Sequence, residues 1–256
     1  MPELPEVETF RRYIEGTSLQ RPVVRMEVRN DVVIRGTDRC DLAEAVEGGE
    51  FLSVRRHGKR LFLRLSGGGW LTWHFGMTGR PAWTDGTEER FTRALFVFPS
   101  GSLAFVDPRM LGRLGLASSP ERYIEAKGMG PDALEISRGE FVDALLEARG
   151  PIKAALMDQR RVAGVGNLYA DEMLFQCRLD PRAGARSLSE RDLECLHRAM
   201  RRVLRRSIEA GADLDRLPPT YLLRCRGRGA ACPRCGSALR TATVGGRTSY
   251  FCADCL

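Results

Sequence analysis

Lysine is nearly missing from this chain: of 40 cationic side chains only Lys59, Lys127 and Lys153 are not arginine. Where arginine is used almost everywhere, a retained lysine marks a place for what guanidinium cannot do, such as giving up a proton or acting as a compact point charge. Long apolar runs are also missing. Stretches such as Phe51 to Val54 and Leu95 to Phe98 fall far short of the ~18 residues a spanning helix needs. The opening MPELPEVE begins on acids, not on a basic and then apolar signal, so a cytoplasmic protein with no membrane association is expected. No internal repeat or low-complexity tract is visible, and an apolar fraction of 43% in 256 residues excludes disorder and collagen while leaving room for one large or two ordinary domains.

What is present is unevenly placed. Residues 1–200 carry 29 basic and 29 acidic groups, whereas residues 201–256 carry 11 and 4, so the whole net charge of +7 lies at the C-terminal end. Such a concentration is the footprint of a phosphate-rich partner. After Pro5, Val7, Phe10 and Ile14 share one helical face, with Gly16 as a stop. From Pro22 to about Leu116 short β-branched and aromatic runs alternate with glycine turns, which predicts a β-sandwich or barrel-like domain. Beyond Gly130-Pro131 the pattern turns helical, over 141–148, 152–157, 168–177 and 188–210, the last opened by Ser189 and Asp192 at capping-box spacing. The fold class is therefore α+β with an N-terminal β-sandwich or barrel-like domain and a helical C-terminal domain, the boundary falling near 131–138.

Three local patterns carry chemistry. Cys232-Pro-Arg-Cys235 and Cys252-Ala-Asp-Cys255 are separated by sixteen residues, a spacing that lets four thiolates close a tetrahedron around one structural Zn²⁺. The segment between them reads as a β-hairpin turning at Gly245-Gly246, with Arg247 at its tip. Cysteines 40, 177, 195 and 225 stand singly, and disulfides are not the expected state. Gly164-Val-Gly-Asn167 precedes a helix, where glycines let backbone N–H groups approach an anion and Asn167 can cap the helix or bond a phosphate oxygen. Finally, Pro2 is small enough to permit removal of Met1, which exposes a secondary amine able to form a Schiff base, with Glu3 beside it to move protons.

Together with Arg55-Arg-His-Gly-Lys59, His74-Phe-Gly-Met-Thr-Gly79, Asp107-Pro-Arg109, Ile152-Lys153 and GVGNLYADE at 164–172, these patterns resemble the formamidopyrimidine-DNA glycosylase and endonuclease VIII family, with PELPEVE pointing to the formamidopyrimidine branch. The resemblance implies a catalytic β-sandwich domain at 1–131, a helix-two-turn-helix DNA-binding domain at 132–224 and a zinc finger at 225–256. It implies a monomer acting on damaged double-stranded DNA in a bacterial-type cytoplasm, near the nucleoid. By resemblance Pro2 is the nucleophile, Glu3 the proton shuttle and Lys59 the proton donor in β-elimination. Arg247 assists δ-elimination and holds phosphate. Lys153 and Asn167 grip phosphates beside the lesion, and Met77 and Arg109 fill the space left by an extruded base. The expected activity is excision of oxidised purines and formamidopyrimidines followed by β,δ-elimination. Two alternatives stay open: endonuclease VIII-like action on oxidised pyrimidines, and noncatalytic binding of damaged DNA.

The chain departs from the family pattern in three places. Asp107-Pro-Arg-Met-Leu-Gly112 puts Leu111 where an aromatic wedge is usual, forfeiting base stacking of ~1–3 kcal/mol. Arg93 stands near a position where a DNA-contacting histidine is common. Residues 211–231, with Pro218-Pro219, do not look like the usual lesion-covering loop.

Overall fold

The helix read after Pro5 forms as α1 (Leu4–Ser18). Its apolar positions Val7 and Ile14 are fully buried. Gly16 does not stop it, because one exposed glycine costs a helix only about 1 kcal/mol and the chain continues two residues further. The structure, a computed structural model, describes residues 1–87 and 89–256. They divide into two units, one of Met1–Pro2 with Glu6–Gly128 and the other of Glu3–Pro5 with Met129–Leu256.

In the first unit the segment expected to be extended from Val23 to Ile34 is a strand only over β1 (Arg25–Val28). The Asn30 side chain then caps a 3₁₀ turn at Asp31–Val33. A helix that the β-rich reading missed, α2 (Arg39–Val46), follows an Asp38 N-cap whose carboxylate accepts from Asp41 N–H. Next come β2 (Phe51–His57), β3 (Arg60–Leu65), β4 (Trp70–His74), β5 (Arg80–Thr84), β6 (Thr92–Phe98), β7 (Gly101–Val106), β8 (Arg113–Ala117) and α3 (Pro120–Ala126). They build two four-stranded sheets, β1-β6-β7-β5 and β2-β3-β4-β8, antiparallel throughout. Side chains from both sheets share one core, in which Trp73, Phe75, Phe96 and Phe105 meet at ring separations of 5.1–6.2 Å. Large apolar side chains buried this way stabilise by about 1.5–3 kcal/mol each, which is what fixes the strand register and the loops between the strands.

The second unit contains α4 (Arg138–Leu146), α5 (Ile152–Met157), α6 (Asn167–Cys177) and α7 (Glu190–Glu209), then the hairpin β9 (Arg240–Val244) and β10 (Arg247–Phe251). Full capping boxes open α4, through Ser137 and Glu140, and α7, through Ser189 and Asp192. Leu4 belongs to this unit's core with Phe141, Tyr169 and Met200. Cys177 and Cys195, expected to stand apart, form a disulfide between α6 and α7 with Cα atoms 6.0 Å apart. Their sequence separation of 18 hid a pairing that the packing of the two helices creates. Among the described residues no helix is long and apolar enough to cross a membrane.

Candidate nucleic-acid interface and catalytic centre

In the first unit the loops at one end of the strands carry the expected residues. Lys59 sits in the two-residue turn Gly58-Lys59 joining β2 to β3, where Gly58 takes φ +54°. His74 ends β4, and burial, reinforced by repulsion from Arg60 and Lys59, holds its imidazole down to about 4. The ring is therefore neutral near pH 7, with Nδ1 accepting from Gly76 N–H at 3.3 Å. Gly76, at φ +62°, brings this loop against the next: a Cβ there would lie 2.5 Å from the Leu111 carbonyl carbon. The Met77 and Leu111 segments are thus packed backbone to backbone.

Asp107 shapes the second loop from within. Fully buried, it accepts from Thr78 Oγ1 and from Gly112 N–H, both at 2.7 Å, and from Arg109 N–H at 3.3 Å. Arg109 and Leu111 are left pointing outward, Leu111 with 40% of its surface exposed. Arg93 lies under the loop: its guanidinium donates to the carbonyls of Asp107 (2.8 Å) and Pro108 (3.3 Å). That geometry makes it a prop for the loop carrying Arg109.

In the second unit the start of α6 holds a carboxylate. Glu3 is 1% exposed, and its Oε1 accepts from Leu168 N–H at 2.9 Å. Glycine at 166 leaves room for this carboxylate: a Cβ would fall 2.3–2.6 Å from the Glu3 carboxylate atoms. The helix N-terminus favours the negative charge. Asn167 is the first residue of α6, Gly166 is its N-cap, and no side chain of the cap residue closes the helix. The expectation that Asn167 might cap α6 is corrected: Glu3 serves its first turn instead, and the Asn167 side-chain oxygen keeps no hydrogen-bond partner among the described residues.

Lys153 is fully enclosed. Its Nζ lies 2.7 Å from Asp171 Oδ1 and donates to Ser249 Oγ (2.7 Å) and the Thr248 carbonyl (3.3 Å). Arg226 reaches Asp171 Oδ2 at 2.8 Å and the Thr248 carbonyl at 3.2 Å, and Tyr250 N–H donates to the same Oδ2. Burial draws the Lys153 ammonium below its ordinary value although Asp171 opposes this. These groups tie α5, α6 and β10 together, immediately beside exposed Arg247 at the hairpin tip, where Gly245 and Gly246 at φ +56° and +70° make the turn. Sequence reasoning singled out Lys153 by its rarity; nothing local pointed to Asp171 or Arg226 as its neighbours.

The sulfurs of Cys232, Cys235, Cys252 and Cys255 lie within 4.8 Å of one another, with Cys232–Cys255 at 3.8 Å and Cys235–Cys252 at 3.5 Å. A tetrahedron of Zn–S bonds of ~2.3 Å has edges of about 3.8 Å, so the cluster fits zinc.

Glu172 was not foreseen. It is buried on α6, accepts from Gln176 Nε2 (2.6 Å) and Leu223 N–H (2.9 Å), and so anchors residues 211–231, whose Leu217, Tyr221, Leu222 and Leu223 are buried. Burial pushes its carboxyl up to about 7. Between about pH 4.5 and 7 the folded protein holds this proton and the unfolded chain does not. Stability should therefore fall as pH rises through that window, by roughly 3 kcal/mol for this group, and level off above it. Denaturant unfolding across the window, compared with Glu172→Gln, checks this: the variant should lack that part of the slope.

The chain matches three family models in succession: the formamidopyrimidine-DNA glycosylase N-terminal domain over residues 1–114, the formamidopyrimidine-DNA glycosylase H2TH domain over 128–217, and the zinc finger found in FPG and IleRS over 229–256. It is 40% identical over 271 residues to the formamidopyrimidine-DNA glycosylase of Thermus thermophilus, covering 100% of this chain and 98% of that protein. Against the enzyme of the same name from Desulfitobacterium hafniense the identity is 35%, over 100% and 99% of the two chains. The Lactococcus lactis Fpg solved with DNA containing an abasic site superimposes with a TM-score of 0.91 at 27% identity, over 99% of each chain. Three consecutive family modules, full-length relatives and a DNA-bound neighbour of the same fold place this chain in the formamidopyrimidine-DNA glycosylase family, DNA glycosylases and AP lyases of base-excision repair.

Proposed function

We propose that the chain excises oxidised purines and formamidopyrimidines from duplex DNA through an amine at Pro2, and that Glu3 seated on the first turn of α6 is the observation carrying this reading. With Met1 removed, the Pro2 nitrogen attacks C1′ of the damaged nucleotide. The C1′–N bond breaks, and a proton relayed by Glu3 goes to the departing base or to the opened sugar oxygen. Breaking of the C1′–O4′ bond, with O4′ taking a proton as the sugar ring opens, leaves the iminium. Removal of the C2′ proton then expels the 3′ phosphate, Lys59 supplying a proton to the leaving oxygen. A second elimination across C4′ and C5′ expels the 5′ phosphate, assisted by Arg247.

The DNA contacts assigned by this reading are Met77, Arg109 and Leu111 at the vacated base, with Asn167 and Arg247 on phosphates. Arg93 and Lys153, expected among the DNA contacts, are read instead as supports: the Arg93 guanidinium donates to the carbonyls under Arg109 and Lys153 is enclosed against Asp171, so they hold the loop of Arg109 and the strand of Arg247. A single structural zinc on Cys232, Cys235, Cys252 and Cys255 stiffens the hairpin. The modules act as 1–131, 132–224 and 225–256, in a monomer working in the cytoplasm.

Borohydride trapping on duplexes bearing 8-oxoguanine, a formamidopyrimidine, thymine glycol or a plain abasic site tests this, with the N-terminal residue read by mass spectrometry. The expected result is an adduct at Pro2, strongest on the purine lesions. Strongest trapping on thymine glycol transfers the reading to oxidised pyrimidines. No adduct on the abasic site, with Met1 absent, overturns amine catalysis and leaves a damaged-DNA binder.

A further inference from the structure

The exposed side of α7 carries a stripe of arginines that are not among the residues assigned above to the lesion. Arg198, Arg201, Arg202, Arg205 and Arg206 recur at helical spacings of three and four, and with Glu209 they line one open groove. Four of the five are exposed. The opposite side of the helix is packed with Leu193, Leu196, Met200, Val203 and Leu204, so the stripe cannot turn inward. Like charges at these spacings repel and weaken a helix, and compensation is scant. Arg206 pairs with Glu209, and Arg202 meets the Tyr221 hydroxyl. Among the described residues Arg198, Arg201 and Arg205 have no ion pair.

Several other basic groups of this unit are spent internally. Lys153 and Arg226 share Asp171, Arg138 pairs with Glu194, and Arg182 pairs with Asp180. Of the 11 cations in residues 201–256, four lie on this one helix face. Neither Asn167 nor Arg247 is among the stripe's side-chain partners.

We propose that the α7 stripe binds the phosphate backbone of a second segment of duplex DNA, distinct from the one held at the lesion. The inference rests on DNA being this chain's partner, as its family membership states. Guanidinium is the suited donor, since its planar fork matches phosphate oxygens and it stays charged at any working pH. A row of them along a helix meets successive phosphates without reading sequence.

The test replaces Arg198, Arg201 and Arg205 together by Gln, which keeps helix propensity and a polar side chain at two exposed positions and one half-buried one, and in parallel by Lys. Binding of a long undamaged duplex is titrated against salt. Binding of a second labelled duplex is measured on protein already saturated with a short lesion-containing one. The Gln variant should lose about 2–3 from the slope of log affinity against log salt and should no longer capture the second duplex. Excision on the short lesion duplex should be unchanged, and the Lys variant should recover the slope. An unchanged slope, or a saturated wild-type protein that captures no second duplex, overturns the proposal. So does an effect confined to RNA or to an acidic protein. Absence of excision on the short duplex in the wild type would instead count against the proposed catalysis, while the salt slope continues to test the stripe.

Discussion

Glu3→Gln is expected to lower single-turnover excision by about 10²–10⁴-fold, the usual contribution of a positioned proton-transfer group, while affinity for an abasic-site duplex changes little. The amide oxygen of glutamine can still accept from Leu168 N–H, so the first turn of α6 keeps its partner and only the proton carrier is lost. Gly166→Ala reaches the same group from the other side. Its backbone, at φ −130° and ψ −160°, accommodates any residue, so the harm is steric. The new methyl would occupy the space of the Glu3 carboxylate, 2.3–2.6 Å from its atoms, and push an intact carboxylate off Leu168. Both variants should bind DNA, and both should be slow. If Gly166→Ala excises at the wild-type rate, the seating of Glu3 on α6 is not what positions the proton.

Asp171→Ala should be strongly destabilising, at about 3–5 kcal/mol. It leaves the Lys153 ammonium, with no exposed surface, without its counter-ion, and removes an acceptor from both Arg226 and Tyr250 N–H. A melting midpoint lowered by roughly 10 °C is expected for a protein of this size, read by calorimetry. Asp171→Asn should fall between, because it keeps the shape and an acceptor but not the charge. Double replacement of Asp171 by Ala and Lys153 by Met should recover much of the loss, since the cost lies in the orphaned charge more than in the missing attraction. A single variant melting within a degree of wild type would show that the buried charges have another means of compensation.

What could be read from the sequence was what nearest neighbours along the chain determine. The cap at Ser189, the Gly245-Gly246 turn and the four-cysteine spacing each act over a few residues or within one hairpin, and each formed as written. The short helix α2 was lost because its eight residues sit among β-branched runs and its only clear signal is Asp38. Features made by long-range packing were illegible. Glu3 reaches Leu168 across 165 residues, and Arg226 reaches Asp171 across 55. The polar types at these positions were visible, but nothing in their spacing says that they meet. The Cys177–Cys195 bond was missed for the same reason: a period of 18 along two helices and a turn carries no contact signal. Leu111 was read as standing where an aromatic wedge is usual; its exposure on the loop that Asp107 shapes is a finding of the structure.

The hydrogen bonds from Leu4 N–H to the Gly164 carbonyl and from Leu168 N–H to Glu3 have a meaning for the order in which the protein comes into being. Glu3 and Leu4 leave the ribosome well before they can reach their places, because their partners are made some 160 residues later. At ~5–20 residues per second, the strands of the first unit have several seconds in which to pair before Glu3 has anything to dock on. A nascent chain stalled before residue 164 therefore carries Pro2 but not the seat for Glu3. On the proposed mechanism the capacity to cut DNA arrives only when the helical half is finished, and incomplete synthesis yields fragments in which Glu3 has nothing to dock on.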